Sequence, residues 1–221
     1  MRKTLVIVPH PDDDVLSFGG YIITELSKGN KVRVIVMTCG GPNSKATFEQ
    51  RQEEFISVMR FLGVTDYLIA KPNFDGLLDT VPTSELTCFI DEQIAQYKPD
   101  NLLTCYPSTH GDHIALHKAF MAAIRLKDGY MPSLIAFGEY PFILPSLGEP
   151  EGGKMYLPMT DKVFTKKCEA FKLYKSQQKK SPSPLGVDGI RILSETRGLS
   201  CGFKYAEMYY VHSLRKRLYD I

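Results

Sequence analysis

Two groups of side chains in this sequence are of the right types and spacing to do chemistry. The first is His10-Pro11-Asp12-Asp13-Asp14, directly behind the apolar run Thr4-Leu5-Val6-Ile7-Val8. One imidazole and three carboxylates so close together repel and desolvate one another unless a cation, a proton or solvent relieves them, and a divalent metal is the simplest relief. The second group lies in Pro107-Ser108-Thr109-His110-Gly111-Asp112-His113-Ile114-Ala115-Leu116-His117, which places three of the five histidines within eight positions. His113 and His117 are four apart and can share a helix face, as in H-E-x-x-H zinc sites, but no Glu stands between them, and His110 and His113 sit nearer the preceding strand. A catalytic zinc takes three protein ligands and keeps one position open. His10, one carboxylate of Asp12 or Asp13, and His113 would supply the three. The other carboxylate could then accept the proton of a metal-activated water. His110 could donate to an oxyanion or protonate a leaving amine, and Asp112 could orient a histidine through its second ring nitrogen.

These groups need elements that bring them together. Thr4–Val8 reads as a buried strand of a parallel sheet, where ligands collect at the carboxyl ends. Ser17-Phe18-Gly19-Gly20 is expected to lead into a helix over Tyr21–Leu26, ending at Gly29-Asn30, and Lys31–Thr38 alternates as a second strand. Gly19-Gly20 is only part of a dinucleotide fingerprint; the full G-x-G-x-x-G is missing, and the carboxylates before it would repel a pyrophosphate. Helical spacing from about Thr47 to Leu62 stops at Gly63, and Arg51 and Glu54 share a face there, either as a surface ion pair or in the cleft. Asp66–Ala70 reads as a strand before the Asp75-Gly76 turn, and Thr83 or Ser84 as the cap of a helix to about Gln96. Asn101–Tyr106 and Ser133–Phe137 read as strands, Pro141–Tyr156 as a long loop of the kind that often acts as a lid, and Asp161 to about Gln178 as an amphipathic helix. Lys179-Lys180-Ser181-Pro182-Ser183-Pro184 breaks regular structure, Asp188–Leu193 suggests a short helix, and Phe203–His212 suits strand or helix. The expected fold is a single α/β domain over residues 1–221, a Rossmann-like, mostly parallel sheet flanked by helices.

Composition narrows the function classes. Lys+Arg 27 against Asp+Glu 25 gives a net charge of +2, no electrostatic case for nucleic acid or an anionic membrane, and Arg215-Lys216-Arg217 reads as a solvated end. No apolar stretch reaches the ~18–20 residues of a membrane span, and Met1-Arg2-Lys3 runs into a strand rather than a signal segment. Cys39, Cys88, Cys105, Cys168 and Cys201 are scattered and odd in number, which suits reduced thiols and a cytoplasmic setting. Homo-oligomerisation is left open.

Val8-Pro9-His10-Pro11-Asp12-Asp13-Asp14 behind a first strand, with His110-Gly111-Asp112-His113 about a hundred residues later, resembles the PIG-L/LmbE family of zinc-dependent N-deacetylases. The likeness covers residues 1–140 well and 141–221 loosely, though Tyr205-Ala206-Glu207 resembles an Ala-Glu segment near that family's C-terminus. The resemblance implies that His10, Asp13 and His113 bind Zn2+; two histidines and a carboxylate also accept Fe2+ or another divalent ion. It implies Asp12 as general base, and His110, tuned by Asp112, as the group at the oxyanion and leaving amine. More weakly, it implies that Arg51 with Glu54 and Asp75 with Gly76 line a sugar site. The implied substrate is a small-molecule acetylated amino sugar, such as an N-acetylglucosamine conjugate. Asp14 stands where the family usually has Glu, and Ser108 where many relatives have an acid.

Two other classes compete. Asp12-Asp13-Asp14 also fits the D-x-D motif of a Mg2+-dependent haloacid-dehalogenase-like phosphatase, a reading that gives His10, His110 and His113 no role. A non-catalytic, metal-containing sugar-binding protein is the third.

Overall fold

The computed structural model describes residues 1–42, 44–125, 130–141, 153–180 and 183–215. Strand β1 (Lys3–Val8) and strand β4 (Asn101–Cys105) are almost wholly buried, as apolar strands covered on both faces must be. They pair in parallel, Thr4 opposite Asn101 and Ile7 opposite Thr104. Outward from β1 lie β2 (Lys31–Cys39) and β3 (Asp66–Pro72); outward from β4 lie β5 (Leu134–Gly138), β7 (Tyr205–Leu214) and β6 (Gly153–Met159). The first five run parallel, β7 runs antiparallel between β5 and β6, and the order is β3-β2-β1-β4-β5-β7-β6. This is the single mostly parallel α/β domain expected.

Helices α1 (Asp13–Ser27), α2 (Phe48–Leu62), α5 (Asp161–Lys172) and α6 (Val187–Cys201) pack on one face of the sheet. On the other face lie α3 (Thr83–Tyr97), α4 (Gly111–Ala123) and a 3-10 turn at Leu78–Thr80. The chain leaves β1 for one half of the sheet and β4 for the other. Their carboxyl ends therefore bound the crevice at the switch in strand order, where open α/β sheets bind ligands. Both chemical clusters begin there. Among the described residues, no helix is long and apolar enough to cross a membrane.

Several boundaries depart from the sequence reading. The first helix starts at Asp13, so Gly19-Gly20 lies inside it. The cause is tertiary: Lys167 Nζ reaches the Leu16 carbonyl at 2.9 Å, and the Glu207 carboxylate accepts from the amides of Gly20 at 2.6 Å and Tyr21 at 2.9 Å. A Cβ at Gly20 would stand 2.4 Å from Met159 Sδ and 2.9 Å from Glu207, and one at Gly19 would stand 2.8 Å from Lys167. The paired glycines thus make room for an ion pair.

Thr83 does not cap α3; Pro82 precedes the helix with no side-chain bond. Thr160 does cap α5, accepting from the Val163 amide. That helix stops at Lys172, well before Gln178, with a separate 3-10 turn at Lys175–Gln177. Of the loop expected over 141–156, Gly153 onward is strand β6, and 142–152 fall outside the described residues. The suggested short helix at Asp188–Leu193 is α6, fifteen residues long; its Gly189 and Gly198 lie against the Pro184 and Lys204 backbones and blur its periodicity. Phe203–His212 resolves as strand β7.

Candidate active site

The turn between β1 and α1 carries the first cluster. Asp12, the residue preceding α1, has φ 116° and ψ −36°, a conformation that costs a non-glycine residue about 1–3 kcal/mol and must be held by its surroundings. Its amide donates to Asp14 Oδ1 at 3.0 Å, and its carbonyl receives the amides of Val15 and Leu16. The carbonyl of Pro11 receives Arg51 Nη2 at 2.6 Å. Asp13 and Asp14 then form the first turn of α1, where the unpaired amides and the helix dipole favour carboxylates.

The second cluster sits on α4, which leaves β4 through Ser108. Ser108 Oγ accepts the amide of His110, and His110, in the N-cap position, accepts the Asp112 amide on Nδ1 at 3.3 Å. That bond fixes the neutral tautomer of His110 with its proton on Nε2.

Packing β1 against β4 brings the clusters together. His10 Nδ1 lies 3.2 Å from Asp13 Oδ2, and His113 Nε2 lies 3.3 Å from the same oxygen. His10 Nε2 points the other way, 2.9 Å from Asp112 Oδ2 and 3.5 Å from Asp75 Oδ1. The carboxylate of Asp112 thus addresses His10 rather than His110. It is anchored by the amides of Gly76 at 2.7 Å and Leu78 at 2.8 Å. His113 Nδ1 meets the hydroxyl of Tyr140 at 3.2 Å.

The electrostatics follow from crowding. Burial disfavours the His10 imidazolium, but bonds to Asp112 and Asp13 outweigh it and raise the pKa to about 10. Asp12 is pushed up to about 8, by burial first and by the Asp13 charge second, with Arg51 opposing. Burial would raise Asp13 too, yet His113 and His10 hold it well below the usual carboxylate range. Asp14 rises to about 6 through burial, against the bonds from Tyr174 and the Asp12 amide. His110 is lowered by burial and by the charge of His10.

Two sets of donors are close enough to hold a metal ion. In each of His10/Asp13/His113 and His10/His110/Asp112 the ligand atoms lie within 4.8 Å of one another. The first is buried throughout and offers the two imidazoles and one carboxylate that suit zinc. In the second, both oxygens of Asp112 already accept backbone amides, so it has less to give a cation. The first set fits a divalent metal.

Arg51 and Glu54 are not a surface ion pair. Arg51 is 2% exposed and lies 3.9 Å from Asp12 Oδ1, while Glu54 accepts from the amide and hydroxyl of Ser176. Asp75 borders the cleft, its amide bonded to the Gly40 carbonyl and its carboxylate facing His10. Asp14, unexplained in the sequence, accepts from the Tyr174 hydroxyl at 2.8 Å. Tyr140, Tyr174 and Ser176 escaped the sequence reading because they lie far along the chain from their partners and belong to no motif.

Solved structures sharing this fold include a teicoplanin deacetylase in a zinc-inhibited form (TM-score 0.75, 19% identity, 95% of this chain and 97% of that one). They also include GalB, the 4-carboxy-2-hydroxymuconate hydratase of Pseudomonas putida KT2440 (TM-score 0.76, 17% identity, 100% of both chains). At such identities the likeness is one of fold. A probable N-acetyl-alpha-D-glucosaminyl L-malate deacetylase 2 of Bacillus cereus is 26% identical over 189 residues, covering 80% of this chain and 84% of its own. The family profile PIG-L, described as GlcNAc-PI de-N-acetylase, matches residues 5–124, more than half of the chain and a span that contains both clusters. The chain belongs to the PIG-L family.

Proposed function

We propose that the protein is a zinc-dependent hydrolase that removes the N-acetyl group from an N-acetylamino sugar or its conjugate, releasing acetate and a free amine. The observation that carries this reading is the meeting of His10, Asp13 and His113 at the β1/β4 crevice, with Asp12 beside them in a strained and partly desolvated setting. The family membership and the Bacillus cereus relative support the acetylated-sugar substrate.

His10, Asp13 and His113 would hold the zinc, which when bound supplies Lewis acidity that makes a water nucleophilic near neutral pH and polarises the acetyl carbonyl. Asp12 takes a proton from the attacking water and later passes it to the departing amine nitrogen. As the water oxygen bonds to the carbonyl carbon, negative charge builds on the carbonyl oxygen. The Nε2–H of His110, set by the Asp112 amide on its other nitrogen, donates toward that charge. The C–N bond then breaks and the amine leaves with the proton carried by Asp12. Asp112 keeps the His10 ring in place. Arg51 steadies the Pro11 carbonyl and Asp12 and contributes with Asp75 to the sugar-facing side of the cleft. Five unpaired cysteines suit a cytoplasmic setting.

Zinc-loaded protein assayed for acetate release from N-acetylglucosamine conjugates tests the proposal. Turnover that falls together with bound zinc in His113→Ala is the expected result. Zinc retention without turnover on any acetylated sugar would favour a binding protein, and a phosphatase with a D-x-D nucleophile would be indifferent to His113. The fold shared with a hydratase makes water addition to an enol acid the control reaction.

A further inference from the structure

We propose that Tyr174 is a positioning residue that acts on the general base through Asp14, an inference that rests on the reading of Asp12 above. Asp12 is one of three non-glycine residues with positive φ among those described, and it is the one beside the metal-ligand set. Its amide is held by Asp14 Oδ1 at 3.0 Å. The same oxygen receives the Tyr174 hydroxyl at 2.8 Å. Both Asp14 and Tyr174 are fully buried, so water has no ready route to replace the phenol, and Asp14 Oδ2 has no hydrogen-bond partner among the described residues.

The chain around Tyr174 is built to deliver that hydroxyl. Helix α5 ends at Lys172, the Gln178 amide side chain ties down the carbonyls of Phe171 and Tyr174, and Ser176 is anchored on Glu54. Ser176 Oγ also lies 3.4 Å from Arg51 Nη1, the guanidinium whose other arm holds the Pro11 carbonyl. The segment after α5 thus braces the β1–α1 turn from beneath at two points. With the phenol gone, Asp14 loses its side-chain donor and is free to turn, the Asp12 amide loses a fixed acceptor, and φ at Asp12 relaxes from its strained value. The Asp12 carboxylate then swings away from the attacking water, while His10, Asp13 and His113, whose side-chain bonds run to one another, to Asp112 and to Tyr140 and not to Tyr174, keep their places.

The test compares Tyr174→Phe, Asp14→Ala and Asp12→Ala, with Tyr174→Phe also placed in each of the other two backgrounds. The readouts are kcat, KM on the N-acetylglucosamine conjugate that the parent turns over fastest, and Zn2+ affinity by chelator competition. Displacing a catalytic group by about 1 Å costs ~100-fold, so Tyr174→Phe is expected to lose about 10–100-fold in kcat, with KM and zinc affinity little changed. It should lose nothing further in the Asp12→Ala or Asp14→Ala backgrounds, because the effect runs through those residues. Full kcat in Tyr174→Phe alongside an inactive Asp12→Ala overturns the positioning role and leaves the base assignment standing. An equal proportional loss in the Asp12→Ala background also overturns it. Parent-like turnover by Asp12→Ala overturns the base assignment and this inference with it. Should Tyr174→Phe fail to fold, Asp14→Ala carries the same expectation of lost kcat with zinc retained.

Discussion

Helix α1 is flanked by two buried groups of charges that obey different rules. Midway along it, Lys167 Nζ lies 2.6 Å from Glu207 Oε1; the ammonium also donates to the Leu16 carbonyl, and the carboxylate also accepts from the Gly20 and Tyr21 amides and the Tyr209 hydroxyl. One positive charge meets one negative charge, and each of their charged atoms has a partner. At the start of the helix the count does not close. Asp12, Asp13, Asp14, Asp75 and Asp112 gather around His10, His113 and Arg51, and Asp14 Oδ2 and Arg51 Nε are left without partners among the described residues. A completed network holds structure together, whereas an unbalanced one at a crevice, with carboxylates pushed in opposite directions, has capacity for a cation and for protons. Burial alone does not separate scaffold from site; completeness does.

The sharpest way to break this contrast is to remove a ligand from the incomplete cluster. Asp13→Ala should lose zinc by more than the ~10–100-fold that outer-shell changes cost, and lose turnover with it, as metal titration beside an acetate-release assay would show. Asp12→Ala should keep its zinc and lose about 100–10,000-fold in kcat, the range of general base catalysis. The reverse pattern would exchange the roles of the two carboxylates.

The completed cluster should respond in stability and not in zinc binding. Glu207→Ala leaves the Lys167 ammonium buried without its partner and should cost about 3–5 kcal/mol in denaturant unfolding, while molecules that remain folded bind zinc as the parent does. Gly20→Ala, whose new Cβ would press on Met159 and Glu207, should cost about 1–3 kcal/mol. A gain of stability from Gly20→Ala would mean that the opening in α1 is not shaped for the ion pair.

Parts of this molecule were legible because their signals are local. Thr47 and Gly63 bound α2 with a cap and a left-handed residue, and the structure keeps both ends. The apolar run before His10 is a strand for the same kind of reason, since five consecutive apolar or β-branched residues have no face to give to solvent. Gly19-Gly20 misled because glycine speaks for local flexibility as readily as for close packing, and the side chains that need the space are more than 140 residues away. Arg51 and Glu54 could not be assigned from their spacing, since burial is a property of what packs over a helix and not of the helix itself.

The sequence by itself determined the parallel architecture, the two chemical clusters and their placement behind strands, because periodicity, capping and charge crowding act over a few residues. Tertiary structure alone decided that β1 and β4 are neighbours, that His10 turns Nδ1 to Asp13 and Nε2 to Asp112, and that Tyr174 reaches Asp14 across 160 positions. Such contacts depend on long-range packing, whose geometry is set by the whole core and written in no single stretch of chain.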